Sequence, residues 1–378
     1  MNKPYRKHHS FTGFSGAGSD VAVQLARALA AMKVSLVTAS QSDNLAPVLK
    51  RAHAALQEEE SSFEITQFIA DEMAMLNEGE LVEYLYHRYR YDIFPQTREL
   101  DAYPPYLQIE PTSICNYRCV FCYQANEAFS RKSSGHMGSM SLDLYKRVVD
   151  QVEGHVQFLS LASRGEPLIC RDLPEMLEYS RGKFLNLKVN TNASLLTEEL
   201  CHSLLNGAVR TLVFSADSAE EPLYSQLRVN GNLDRVLRNV AMFQRIRERD
   251  YPRARILTRV SGVRVDEGRQ DLSEMQSVWG GLVDQISFVK YNPWENIYEA
   301  EPIRIEAPCS DLWRRMFVWY DGTVNPCDTD YQSHLKVGQI GRDSIPDLWN
   351  SGAYQALREG HEDGRRNVTE PCRRCSVI

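Results

Sequence analysis

Between residues 105 and 290 the sequence alternates between two periodicities, and that alternation leaves few folds open. Short apolar or β-branched runs at 106–110, 156–162, 185–191, 209–216, 255–263 and 285–290 read as strands. Between them, apolar residues recur at helical spacing over 142–152, 173–180, 198–205, 233–246 and 272–279. Repeated βα units are joined by right-handed crossovers and give a parallel sheet. Six units suit an open, partial (β/α)6 TIM-like barrel better than a closed barrel of eight. In an α/β fold of this kind the chemistry sits at the C-terminal ends of the strands.

The flanks have a different texture. Residues 1–100 read as a mainly helical N-terminal extension, residues 101–300 as the barrel, and residues 301–378 as a small C-terminal module too thin in apolar residues to hold without a cross-link. In the extension, Val21, Leu25, Leu29 and Met32 mark an amphipathic helix, and a second helical run over 64–89 is expected to end before Pro95. The glycines at 13, 16 and 18 superficially resemble a dinucleotide fingerprint, with 34–37 as a following strand. A fingerprint follows an apolar strand, however, and Arg6-Lys7-His8-His9-Ser10 precedes these glycines, so a plain loop and cap is the expectation.

Lys+Arg total 43 against Asp+Glu 50, a net −7 that offers no basic field to nucleic acid or anionic lipid. The most apolar early stretch, 21–40, is interrupted by Gln24, Arg27 and Lys33, so no membrane span and no secretory segment is expected. Nine cysteines, an odd number in short-spaced groups, argue for metal binding in a reducing compartment rather than disulfides, and hence for a cytoplasmic protein. Cys170 and Cys201 stand apart from the groups and read as packing residues.

The first group is Cys115-Asn116-Tyr117-Arg118-Cys119-Val120-Phe121-Cys122, in the loop after the first barrel strand. Three thiolates this close fit three irons of a cubane and leave the fourth iron open. Structural zinc would recruit a fourth ligand nearby, and the nearest candidate, His136, lies fourteen residues on. This Cys-x3-Cys-x2-Cys pattern, with an aromatic before the last cysteine and at the head of six βα units, resembles the radical S-adenosylmethionine superfamily. The resemblance implies a [4Fe–4S] cluster on Cys115, Cys119 and Cys122. Its open iron would chelate S-adenosylmethionine, which is cleaved to a 5′-deoxyadenosyl radical. It further implies that Glu166, in Gly165-Glu166-Pro167, accepts from the methionine ammonium. Asn190 and Ser215, in 190–192 and 215–218 at the next strand ends, would lie near the ribose, Arg259 near the methionine carboxylate, and Phe121 against adenine. Arg164 stands where the family often has a second glycine.

The second group is Cys309, Cys327, Cys372 and Cys375. Two distant cysteines joined by a Cys-x2-Cys pair form a four-thiolate site, and spacing alone does not separate a cluster from zinc. Residues 319–327, 337–340, 348–350 and 372–375 resemble the SPASM/twitch extension of the same superfamily. The order and spacing are similar to those of the aminocyclitol dehydrogenases that oxidise 2-deoxy-scyllo-inosamine. That likeness implies one auxiliary [4Fe–4S] cluster with four protein ligands, whose task is to remove an electron from a substrate radical. It also implies a flavodoxin- or ferredoxin-type reductant.

The expected activity is therefore the oxidation, or a related radical conversion, of a small polyhydroxylated molecule such as an aminocyclitol, amino sugar or nucleotide sugar. Candidate pocket residues are Arg164, Lys188, Arg264, Lys290, Tyr291 and Trp294, with Lys290 or Arg264 as the catalytic base. Three other readings stand beside this one: maturation of a ribosomal peptide, sugar epimerisation or dehydration, and non-catalytic electron carriage.

Overall fold

The computed structural model describes residues 4–6, 11–38, 45–58 and 61–378. It opens with strand β1 (Phe11–Ser15) and helices α1 (Val21–Thr38), α2 (Ala46–Ala55), α3 (Gln67–Ala74) and α4 (Glu78–Thr97). The expected helical run over 64–89 is two helices, because Asn77 starts α4 anew. The Asn77 side chain accepts from the Glu80 N–H and the Glu80 carboxylate accepts from the Asn77 N–H, both at 2.9 Å. Pro95 does not end α4 as expected but sits within its last turn. Proline deprives the carbonyl four residues back of its donor, and that carbonyl, on Tyr91, is taken by Arg314 Nε at 2.9 Å. Residues 34–37, a conceivable strand beside the glycines, belong to α1. The first half of the glycine stretch is strand, with Phe11 to Ser15 running antiparallel to Val289 to Gln285, while Gly16 to Asp20 form the expected loop and cap, Asp20 Oδ1 accepting from the Val23 N–H at 3.1 Å.

The barrel begins with β2 (Tyr106–Ile109), whose loop carries the two-residue strand β3 (Arg118–Cys119) and helix α5 (Glu127–Ser130). There follow α6 (Leu142–Val152), β4 (Phe158–Leu161), α7 (Leu173–Ser180), β5 (Asn186–Thr191), α8 (Glu198–Asn206) and β6 (Val209–Ser215). Helix α9 (Glu221–Leu227), the short β7 (Arg228–Val229), α10 (Leu233–Asp250), β8 (Leu257–Arg264), α11 (Leu272–Trp279) and β9 (Gln285–Lys290) complete it. Strands lie in the order β9-β8-β6-β5-β4-β2, all parallel, as six βα units require. The helices earn their places by amphipathicity: on α6, Tyr145, Val148, Val149 and Val152 are fully buried against the sheet at helical spacing. Each such side chain contributes about 1.5–3 kcal/mol.

Both flanks extend this sheet to ten strands. β1 adds antiparallel to β9 at one edge. At the other, β10 (Arg315–Val318) runs parallel to β2, with Arg315 opposite Tyr106, and β11 (Thr323–Asn325) and β12 (Gly338–Gln339) follow antiparallel. Helices α12 (Ile345–Trp349) and α13 (Gly352–Glu362) close the C-terminal module. The module's first strand is thus part of the barrel sheet, which the sequence alone does not reveal.

The N-terminal helices form a second core that takes in Tyr106, Phe158 and Leu185, at or just before the starts of β2, β4 and β5. They cover the N-terminal end of the barrel and leave the C-terminal end to the loops. Helix α1 has the length and composition to cross a bilayer, contrary to the reading of its sequence. Here it packs on α2, α3 and α4 with Ala28 and Met32 fully buried, and Arg27 donates to the Met73 carbonyl at 2.9 Å.

Candidate active site

A cavity of about 510 Å³ runs from the C-terminal strand ends into the barrel. Cys115, Cys119 and Cys122 line it together with Phe121, Glu166, Asn190 and Ser215. The cysteine loop is held at several points. β3 pairs antiparallel with β7, so Cys119 sits opposite Arg228. Asn116 donates to Ser194 Oγ at 2.9 Å and accepts from Asn192 Nδ2 at 3.0 Å, which ties the loop to the end of β5. Gly165 lies so close under the loop that a Cβ there would stand 2.2 Å from the Thr112 carbonyl oxygen. Only glycine fits that approach.

Burial pushes the Cys115 thiol up to about 12 and Cys119 to about 11, and raises Cys122 further. Thiols in that state ligate once a positive centre or a neighbouring cation compensates them. Arg228 is such a cation: its guanidinium lies 3.9 Å from Cys119 Sγ and pairs at 2.6 Å with the fully buried Asp217. Sequence reasoning missed this pair. Asp217, in the 215–218 segment, is committed to Arg228 and to the Val263 N–H.

Glu166 is 2% exposed. Its carboxylate accepts from Thr191 Oγ1 at 2.6 Å and from the N–H groups of Asn192 and Leu168 at 2.7 and 3.1 Å. Burial nevertheless raises its pKa, against those donors. Three donors leave part of the carboxylate's acceptor capacity open toward the cavity. Asn190 Oδ1 is buried without a hydrogen-bond partner, an acceptor that a bound ligand would satisfy. Phe121 packs in a small apolar cluster with Tyr117, Leu223 and Leu227.

The other expected residues border this cavity except Arg264, though not all in the expected place. Arg259 borders the cavity deep in β8, but its guanidinium is committed to Gln285 Oε1 at 2.8 and 2.6 Å and approaches Glu72 at 3.7 Å. It stacks over Phe68 at 4.9 Å, so it belongs to the floor and not to the strand ends where a methionine carboxylate was expected. Arg264 does not line the cavity; it reaches the Glu267 carbonyl in the loop beyond β8. Lys290 ends β9 exposed, at the cavity rim. Tyr291 and Trp294 also line the cavity, and Trp294 Nε1 donates to the Phe121 carbonyl at 2.9 Å. Arg164 is 3% exposed and grips Glu110 through Nε and Nη2 at 2.7 and 2.6 Å. It also donates to the Tyr331 carbonyl at 2.8 Å and lies 4.2 Å over Trp319, so it bolts the barrel to the C-terminal module.

The second cysteine group converges in that module. Cys309, Cys327, Cys372 and Cys375 line one small apolar recess with His361 and Arg366. Burial pushes Cys309 to about 12 and raises Cys372 well above its ordinary value. Arg366, which sequence reasoning also missed, is 1% exposed and donates to the carbonyls of Ala307 and Cys372 at 2.8 and 3.4 Å. Asp328, the neighbour of Cys327, lines the barrel cavity, so the two cysteine groups lie on either side of one wall.

Residues 109–256 match the family model of the radical SAM superfamily, and residues 309–376 match SPASM, an iron–sulfur cluster-binding domain. The chain belongs to the radical S-adenosylmethionine superfamily. It is a radical SAM enzyme of the SPASM/twitch class, with two [4Fe–4S] clusters and S-adenosylmethionine as its cofactors. Against curated proteins, this radical SAM chain is 21% identical over 280 residues to the S-adenosyl-L-methionine-dependent 2-deoxy-scyllo-inosamine dehydrogenase of Niallia circulans, covering 72% of this chain and 92% of that one. It is 30% identical over 150 residues to the AdoMet-dependent heme synthase of Methanosarcina barkeri, covering 39% and 41%. The fold is shared with SuiB of Streptococcus suis bound to its precursor peptide SuiA, at 13% identity and a TM-score of 0.53, over 99% of this chain and 98% of that one.

Proposed function

We propose that this radical SAM enzyme dehydrogenates a hydroxyl-bearing carbon of a small polyhydroxylated molecule, such as an aminocyclitol, amino sugar or nucleotide sugar. One observation carries the reading: a complete set of four thiols lies behind the wall of the cavity that holds the three-cysteine loop. Four ligands leave a cubane no vacancy for substrate, so its use is to accept an electron. The dehydrogenase from Niallia circulans, matched over 92% of its length, is named for that chemistry. The cavity lining agrees, since Gln108, Ser160 and Ser261 offer hydroxyl and amide groups to a polyol.

In this reading Cys115, Cys119 and Cys122 hold the cluster that binds S-adenosylmethionine, and Cys309, Cys327, Cys372 and Cys375 hold the auxiliary cluster. Glu166 accepts from the methionine ammonium with its open lone pairs, Asn190 and Ser215 bond the ribose, and Phe121 walls the adenine. When bound, the cofactors supply a 5′-deoxyadenosyl radical that removes one hydrogen atom from the substrate. The protein's own part is to fix that carbon, exclude water and take up a proton. A flavodoxin- or ferredoxin-type protein supplies the priming electron.

The deciding experiment is anaerobic turnover of polyols deuterated at their hydroxyl-bearing carbons. The product should be lighter by one H and one D, and the deuterium should appear in 5′-deoxyadenosine. With unlabelled substrate, product of unchanged mass means epimerisation, and loss of water means a dehydratase; either sinks the dehydrogenase reading. The likeness in fold to peptide-bound SuiB supports a second reading, peptide maturation, which turnover of a peptide and of no polyol would establish.

A further inference from the structure

Below the ring of expected cofactor contacts, the cavity floor carries a lysine that neither cysteine group requires. Lys188 is the third residue of β5, and its neighbours Leu187 and Val189 enter the hydrophobic core beneath the helices. Side chains alternate along a strand, so Lys188 points inward with Asn190, and both line the cavity. In register it stands between Ser160 of β4 and Thr211 of β6. The charged groups facing it are Arg259 from β8, Arg315 from β10 and Glu72 from α3. Glu72 is already engaged, by Tyr84 Oη at 2.6 Å and Arg259 at 3.7 Å. Arg315 donates to Tyr91 Oη, and Arg259 to Gln285. Guanidiniums keep their protons. The member of this cationic trio able to give one up is therefore the lysine.

We propose, on the reading that the enzyme dehydrogenates an alcohol, that Lys188 is the proton acceptor of the reaction, its neutral amine taking the hydroxyl proton of the substrate radical. Burial, and then the repulsion of Arg259 and Arg315, lowers its pKa to about 7, so the free amine is available at neutral pH. The balance is complete. The carbinol C–H leaves as a hydrogen atom to the 5′-deoxyadenosyl radical. The O–H bond then breaks with its proton going to Lys188 Nζ. The ketyl radical anion that remains is steadied by the two guanidiniums, and its one electron would leave to the [4Fe–4S] cluster that Cys309, Cys327, Cys372 and Cys375 would hold. A carbonyl results, and Lys188 returns its proton to water through the open mouth of the cavity. Lys290 and Arg264 need no part in it.

Two measurements test the assignment, one of them independent of any substrate. Competitive acetylation of the intact holoenzyme across a pH series, read by mass spectrometry, should show Lys188 reacting with an apparent pKa near 7. A Lys188 that stays unreactive until about pH 9, as a lysine titrating near 10.4 would, overturns the proposal. Second, Lys188→Met and Lys188→Ala should each cut carbonyl formation about 100-fold or more in kcat with little change in KM, the usual loss of a general base. Deuterium should still move from the substrate into 5′-deoxyadenosine, and methylamine should partly rescue Lys188→Ala. Wild-type kcat should rise with pH through about 7, and the Lys188→Met profile should be flat there. A loss confined to KM makes Lys188 an anchor for an anionic substrate group and sinks the base. If the wild type itself forms no carbonyl product, the dehydrogenase reading fails, separately from the titration of Lys188.

Discussion

Glu166 is a carboxylate surrounded by donors, and that explains both its type and its sensitivity. Thr191, Asn192 and Leu168 all donate to it. Glutamine would turn an amide N–H₂ toward at least one of them, so even that near-isostere carries a cost. Glu166→Ala should weaken S-adenosylmethionine binding by about 1.5–3 kcal/mol, roughly ten- to a hundred-fold in Kd. The iron–sulfur absorption should be unchanged, because the three cysteines, and not this carboxylate, are the proposed iron ligands. An unchanged Kd by calorimetry removes Glu166 from the site. Glu166 was legible because a short motif at a strand end announces it. Arg164 was legible only as a departure from glycine. Its partners Glu110 and Tyr331 lie 54 and 167 positions away, and no local pattern reports a pairing across that distance. Arg228 and Arg366 were invisible for the same reason, since a buried arginine and a solvated one read alike in sequence.

At the scale of elements, the strands and helices of the barrel were legible because their apolar period is unbroken, whereas the edge strands were not. Phe11–Ser15 contains a threonine, a glycine and a serine, and it becomes a strand only because β9 presents an open edge more than 270 positions later. The helical period stops about two turns short of the end of α4, since Pro95 normally stops a helix and the arginine that repairs this one comes from the distant C-terminal module. The docking of α4 on the barrel has a pH signature. His87, 1% exposed, stacks on Phe158 with ring centroids 3.7 Å apart, and burial and nearby Arg88 and Arg90 hold its pKa well below the ordinary value. The unfolded chain binds a proton there near pH 6.5 and the native chain does not, so stability falls as pH drops through 6.5. The slope contributed by this one group is at most about 1.4 kcal/mol per pH unit. His87→Phe keeps the ring stack and removes the proton site, so the loss of thermal stability between about pH 7.5 and 5.5 should be smaller than in wild type. Parallel losses in both proteins, by calorimetric melting, would show that His87 is not the group responsible.

At the scale of the whole molecule the question is how two metal sites in one continuous sheet remain separable. The barrel site hangs on the loop after β2, and the auxiliary cysteines lie on both sides of β10, β2's hydrogen-bonded neighbour, with Cys309 before it and Cys327, Cys372 and Cys375 after it. Each site nonetheless has its own cysteines and its own buried arginine, Arg228 for the first and Arg366 for the second. Anaerobically reconstituted protein should hold about eight irons per chain, as two cubanes require. Changing Cys115, Cys119 and Cys122 to Ala should leave about half the iron and abolish cleavage of S-adenosylmethionine. The reverse change, Cys372→Ala with Cys375→Ala, should also leave about half, yet cleavage to 5′-deoxyadenosine should persist while oxidised product nearly vanishes. Loss of a structural metal can unfold a small module. Here β10 is held by β2, Arg164 by Glu110 and Tyr331, and Arg314 by the last turn of α4, so the module has anchors that do not depend on its cluster. Circular dichroism and a thermal melt should therefore show a destabilised but folded variant. If the variant keeps its fold and loses cleavage as well, the auxiliary cluster is needed before the substrate radical forms, and its role as the electron acceptor for that radical is wrong.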